Sequence, residues 1–174
     1  SIETKPMGGT ETMVTLNYLT MYILLRTGNV NKLKEVREML SPHADIRIIG
    51  LHDIGHLEEL EETGDTLIDN AIEKANFLYD KYGCPVFAED AGLEVDALNG
   101  APGVYSARYA GPGKNARDNM NKLLQALSDS DDRSARFKSV IAYKTHTDIQ
   151  LFSGAVEGHI TRQVNGAGGF GYDP

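Results

Sequence analysis

The stretch from Thr66 to Tyr82 constrains the fold of this chain more than any other. Its apolar residues Leu67, Ile68, Ala71, Ile72, Ala75, Leu78, Tyr79 and Tyr82 recur with a helical period. Such a stripe must bury itself against another layer. Thr63 or Asp65 can cap the start of this helix, and Gly83 suits its end. Pro85-Val86-Phe87-Ala88 follows as a central strand ending in Glu89-Asp90. Upstream, Met21–Arg26 reads as a buried first strand. A helix over Asn31–Leu40, with Leu33, Val36, Met39 and Leu40 inside, ends at Ser41-Pro42, and Asp45–Leu51 reads as a second strand. Downstream come a helix over Ala116–Leu127 and two long strands, Arg136–Lys144 and Ile149–Ile160, joined by a turn at Thr145–Asp148. This order predicts an α/β fold, with a mixed central β-sheet flanked by helices.

The length, 174 residues, fits one domain, and a hydrophobic share of 41% is enough for a core. The net charge of −8 argues against general attraction to nucleic acid or to an anionic membrane. Any phosphate site must be local, built from a few cations and backbone N–H groups. Met13–Leu25 is apolar but too short to span a bilayer. The single cysteine, Cys84, can form neither an intrachain disulfide nor a zinc cluster, which suits a reducing, cytoplasmic setting. His52 and His56 have zinc-like spacing, but Gly55 between them argues for a loop. No Ser/His/Asp or Cys/His arrangement stands out.

Four constellations carry chemistry. Thr27-Gly28-Asn29-Val30-Asn31-Lys32 joins a strand to a helix, where free N–H groups and the helix dipole attract anions and Lys32 adds charge. It is not a GxxxxGK[ST] loop, and a plain helix cap would look similar. Glu61-Glu62 precedes the long helix, and Glu89-Asp90 ends the strand after it. Carboxylates from both are expected to converge at the C-terminal edge of the sheet, where Mg²⁺ takes one or two carboxylates plus phosphate oxygens. The run Gly100–Tyr109 is a tight loop followed by Ser106, Arg108 and two tyrosines. Arg108 can reach a phosphate or pair within the fold. Gly168-Gly169-Phe170-Gly171-Tyr172-Asp173-Pro174 can fold over a flat ligand, with Phe170 stacking on a base and Asp173 hydrogen-bonding its edge.

In order and spacing, TGNVNK at 27–32, EETGDTLIDNAIEKA at 61–75, AEDAGLEVDALNGAPGVYSARYAG at 88–111 and GGFGYDP at 168–174 resemble the inosine triphosphate pyrophosphatase family, also called dITP/XTP pyrophosphatases. The resemblance implies Mg²⁺-dependent hydrolysis of ITP, dITP or XTP to monophosphate and pyrophosphate by a homodimer. It implies that Thr27, Gly28, Asn29, Val30, Asn31 and Lys32 cradle the triphosphate. Glu62 and Asp90 would hold the metal as catalytic residues, Asp90 also activating water. Phe170, Gly171, Tyr172 and Asp173 would enclose the purine. Where the family carries Asp-Asp-Ser/Thr-Gly this chain has Glu89-Asp90-Ala91-Gly92, so Ala91 lacks a hydroxyl expected to touch substrate. Against the family pattern, residues 1–20 are expected to lie outside the domain. Residues 21–174 are expected to form the domain without its C-terminal part. Two other readings stay open: an inactive or weakly nucleotide-binding fragment, and a sibling pyrophosphatase for other modified nucleotides.

Overall fold

The computed structural model describes residues 21–26, 30–43, 45–56, 60, 62–164 and 171–172. The chain runs β1 (Met21–Arg26), α1 (Val30–Leu40), β2 (Ile46–Gly50), α2 (Leu67–Tyr82), β3 (Val86–Val95), α3 (Ala116–Ala126), β4 (Ser134–Lys144) and β5 (Ile149–His159). Short 3₁₀ turns occupy Leu51–Ile54, Asp96–Leu98 and Gly103–Arg108. The five strands form one sheet in the order β2-β1-β3-β4-β5. β2, β1 and β3 are parallel, whereas β3, β4 and β5 are antiparallel. The expected mixed α/β sheet is therefore present.

The topology places the helices. β2 lies on one side of β1 and β3 on the other. Right-handed crossovers in opposite directions put their helices on opposite faces of the sheet. On one face α2 buries Leu67, Ala71, Ala75 and Leu78 against Leu24, Val86, Ala88, Val140 and Ala142. On the other, Leu33, Val36 and Leu40 of α1 cover Ile23, Leu25 and Ile48. A third cluster joins Leu123 and Leu127 to Leu93, Val95 and Ala135.

Two local expectations change. The α2 cap is Thr66, whose hydroxyl accepts the Asp69 N–H at 3.1 Å. Thr63 instead donates to Glu73 at 2.9 Å, outside the helix. Gly83, with φ of 66°, ends α2 as expected. The larger difference is that β3 does not stop at Glu89-Asp90 but runs on to Val95. Its pairing with β1 ends at Ala88, while its pairing with β4 continues to Val95. Beyond Ala88 the edge left by β1 is taken partly by a loop: Leu93 N–H donates to Ser106 Oγ at 2.8 Å and Val95 N–H to Ala101 O at 3.2 Å. Glu89 and Asp90 thus stand where the parallel half of the sheet ends.

Gly92 permits this close approach. A β-carbon there would overlap the Gly103 carbonyl, which is backbone and cannot rotate away. Gly92→Ala should lower stability by about 1–3 kcal/mol, read as a lower urea midpoint with an unchanged m-value. An unchanged midpoint would mean that the loop does not rest on β3.

Candidate active site

In open α/β sheets the ligand crevice lies at the C-terminal ends of the parallel strands where the strand order reverses, here between β1 and β3. Successive residues of β3 point to opposite faces, so Glu89 and Asp90 part company there. Asp90 turns toward α2 and Glu89 toward α1.

On the α2 side the centre is Lys74, only 4% exposed. Its ammonium lies 2.5 Å from Asp90 Oδ1 and 2.6 Å from Glu62 Oε1. Asn70, one turn earlier on α2 and fully buried, donates from Nδ2 to Asp90 Oδ2 at 3.2 Å. Its Oδ1 accepts the Gly64 N–H at 2.8 Å, which ties the segment carrying Glu62 to the helix. Arg108 reaches the second oxygen of Glu62 at 3.0 Å. Three elements and a loop meet at this cluster.

The two carboxylates differ electrically. Burial pushes the Asp90 carboxyl up; Lys74 opposes it, the Glu62 charge adds to it, and the net displacement is upward. Burial also pushes Glu62 up, but Lys74 and Arg108 outweigh it, so Glu62 stays below the usual glutamate range. Glu62 is the firm anion, and Asp90 is the carboxylate with greater appetite for a proton.

On the α1 side, Lys32 in the first helical turns lies 2.6 Å from Glu89 Oε2. Ser139 of β4 donates to Glu89 Oε1 at 2.7 Å. Ala91 sits directly across from Ser139 in the β3–β4 register.

The expected convergence therefore holds for Glu62 and Asp90, while Glu89 belongs to the other face. Lys32 reaches the crevice from α1. Thr27, Gly28, Asn29, Glu61, Phe170 and Asp173 lie outside the described residues, as do the side chains of Val30 and Asn31. Gly171 and Tyr172 form a turn, and the half-buried Tyr172 spends its hydroxyl on Ser106 O at 2.9 Å. The sequence reading passed over Asn70 and Lys74. Their signal was present: both fall inside the stripe Leu67…Ala71…Ala75…Leu78, where polar residues are costly to bury alone.

Comparison with known proteins gives one family. The Ham1 family model matches residues 23–174. The dITP/XTP pyrophosphatase of Flavobacterium johnsoniae is 50% identical over 154 residues, covering 88% of this chain and 79% of that relative. The dITP/XTP pyrophosphatase of Porphyromonas gingivalis is 48% identical over 153 residues, 87% of this chain and 78% of that relative. Among solved structures, a HAM1 protein from Coxiella burnetii matches with a TM-score of 0.81 and 39% identity, over 89% of this chain and 80% of that one. The Staphylococcus aureus Ham1 protein matches with a TM-score of 0.79 and 38% identity, over 88% and 79%.

Lys74→Met should be costly, because it leaves the buried Asp90 without its cation, beside a Glu62 that keeps only Arg108. Breaking a buried ion pair in this way costs about 3–5 kcal/mol. In the variant the Asp90 carboxyl should rise further above its unfolded value, so the folded state binds more protons than the unfolded one and stability falls as pH rises through that window. The stability deficit, read from denaturant midpoints, should be larger at pH 8 than at pH 5. An equal deficit at both would overturn the shared role of Lys74.

Proposed function

This chain belongs to the Ham1 family, and from that premise we propose that it hydrolyses deaminated purine nucleoside triphosphates (ITP, dITP, XTP) to monophosphate and pyrophosphate. One observation carries the reading: Glu62 and Asp90, from separate elements, turn toward one positive charge at the switch point of the sheet. The names of relatives at 48–50% identity support the substrate class.

A divalent cation fits this donor set. Both groups are hard oxygen donors already facing a positive charge, and each carboxylate has more lone pairs than Lys74 uses. No third His, Cys, Asp or Glu joins them among the described residues. Two carboxylates, with water and phosphate oxygens completing the shell, suit Mg²⁺. Mg²⁺ held by Glu62 and Asp90 supplies charge neutralisation for the polyphosphate. The residues do the rest. Asp90 takes the proton of the attacking water, with Asn70 and Lys74 fixing its two oxygens. Thr27–Lys32 hold the triphosphate at the start of α1, Lys32 exchanging Glu89 for phosphate. Ala91 lines the same side without a hydroxyl. Phe170, Gly171, Tyr172 and Asp173 enclose the base. A donor aimed at its 6-position is satisfied by a keto oxygen and left unpaired by the amine of ATP.

The protein works in the cytoplasm as a homodimer, without nucleic acid or membrane. Phe137, Ile141, Phe152 and Val156 are exposed together across the β4–β5 pairing, an apolar face that a second copy would cover. No helix among the described residues is long and apolar enough to cross a membrane.

Pyrophosphate release from ITP or XTP, but not ATP, should require Mg²⁺; equal rates with ATP would overturn the purine assignment. Asp90→Asn should cut that release by at least about 100-fold while the circular dichroism spectrum is kept. A near-normal rate would remove Asp90 from the chemistry. Ala91→Ser should leave KM unchanged or lower it. A large rise in KM would show that position 91 does not meet the substrate as proposed.

A further inference from the structure

Glu62 itself lies in neither a helix nor a strand, so regular structure does not fix its carboxylate. Lys74 lies 2.6 Å from Oε1. Arg108 holds the remainder: Nη1 donates to Oε2 at 3.0 Å and Nη2 to the Glu62 carbonyl at 3.4 Å. One guanidinium thus grips both the side chain and the backbone of the same residue. Its planar fork sets a direction for the carboxylate, which a flexible ammonium would not.

Arg108 is itself on a braced platform. Its guanidinium lies 5.2 Å from the centre of the Tyr105 ring. Ser106, only 6% exposed, accepts the Leu93 N–H at 2.8 Å and donates to Gly103 O at 2.6 Å. The Ser106 carbonyl accepts Asn119 Nδ2 at 3.3 Å and the Tyr172 hydroxyl at 2.9 Å. Strand β3, helix α3 and the turn at Tyr172 therefore all converge on the 3₁₀ turn that carries Arg108.

We propose that Arg108 is a positioning residue, holding Glu62 in the orientation that takes a divalent cation, rather than a contact for phosphate. The proposal rests on reading Glu62 as a cation ligand. Outer-shell partners of metal ligands typically account for about 10–100-fold in metal affinity, which sets the expected effect. Mn²⁺ binding to the nucleotide-free 174-residue chain, followed by the electron paramagnetic resonance signal of free Mn²⁺, reads it without turnover. Arg108→Met should weaken binding about 10-fold or more, and Arg108→Lys should weaken it too, because charge without the fork does not set the direction. Glu62→Gln should weaken it at least as much. Denaturant midpoints of each variant separate unfolding from mispositioning, and Arg108→Lys carries the test if Arg108→Met does not fold. Unchanged Mn²⁺ affinity in folded Arg108 variants, with loss in Glu62→Gln, would overturn the positioning role; a raised KM for ITP in those variants would then mark Arg108 as a phosphate contact. Unchanged affinity in Glu62→Gln, or no binding by the unaltered chain, would instead remove Glu62 as a cation ligand and the proposal with it.

Discussion

The site depends on one buried ammonium. Lys74 is nearly inaccessible, and its charge is balanced by Glu62 and Asp90. Burying a cation between two carboxylates is weak as a source of stability, because desolvation offsets most of the attraction. Its value lies in what it forbids. A one-residue slip of β3 would exchange the faces of Glu89 and Asp90, leaving Lys74 without Asp90 on its side of the sheet. The same slip would bring the longer Glu89 side chain under α2 and turn Val86 and Ala88 out of the core there. The buried face made by Val86, Ala88 and Asp90 together therefore fixes the register of the central strand.

That register matters because β3 belongs to two kinds of sheet. Up to Ala88 it is a parallel strand beside β1; through Val95 it is the antiparallel partner of β4. A purely parallel strand would place its last side chains at a loop, where direction is loosely held. Here Glu89, Asp90 and Ala91 sit at the crevice yet stay clamped to Ile141, Val140 and Ser139 across the pairing. The acidic residues gain the access of a strand end and the rigidity of a strand interior.

Much of this was legible in the sequence. Helical periodicity located the helices among the described residues, and β-rich runs bounded by turns located the strands, because burial selects those patterns directly. Glu89-Asp90 stands out through the expense of burying acids at the end of an apolar strand, whereas Glu62 is singled out by the family resemblance. What was not legible depends on pairing at a distance. Nothing local tells that β3 continues past Asp90, since the evidence lies in its match to residues 134–144. The separation of Glu89 from Asp90 follows from that continuation. Lys74 escaped because a lysine in a helix ordinarily reads as solvent-facing. Only its place between Ala71, Ala75 and Leu78 argues otherwise. The α2 cap moved to Thr66 because Thr63 found a side-chain partner in Glu73.

The pairing of charges also bears on how such a site meets an anion. Lys74 and Arg108 offset Glu62 and Asp90, and Lys32 offsets Glu89. These clusters are close to neutral, in a protein of net charge −8. A polyphosphate approaching them meets cations already engaged by carboxylates, so little attraction is left over. Adding a divalent cation to Glu62 and Asp90 changes the sign of the local balance. It also lessens the need of those carboxylates for Lys74 and Arg108. Under the proposed function, metal and triphosphate would bind with positive coupling, each reducing the electrostatic cost of the other. Under the proposed reading, that neutral balance would leave phosphate weakly held when no metal accompanies it.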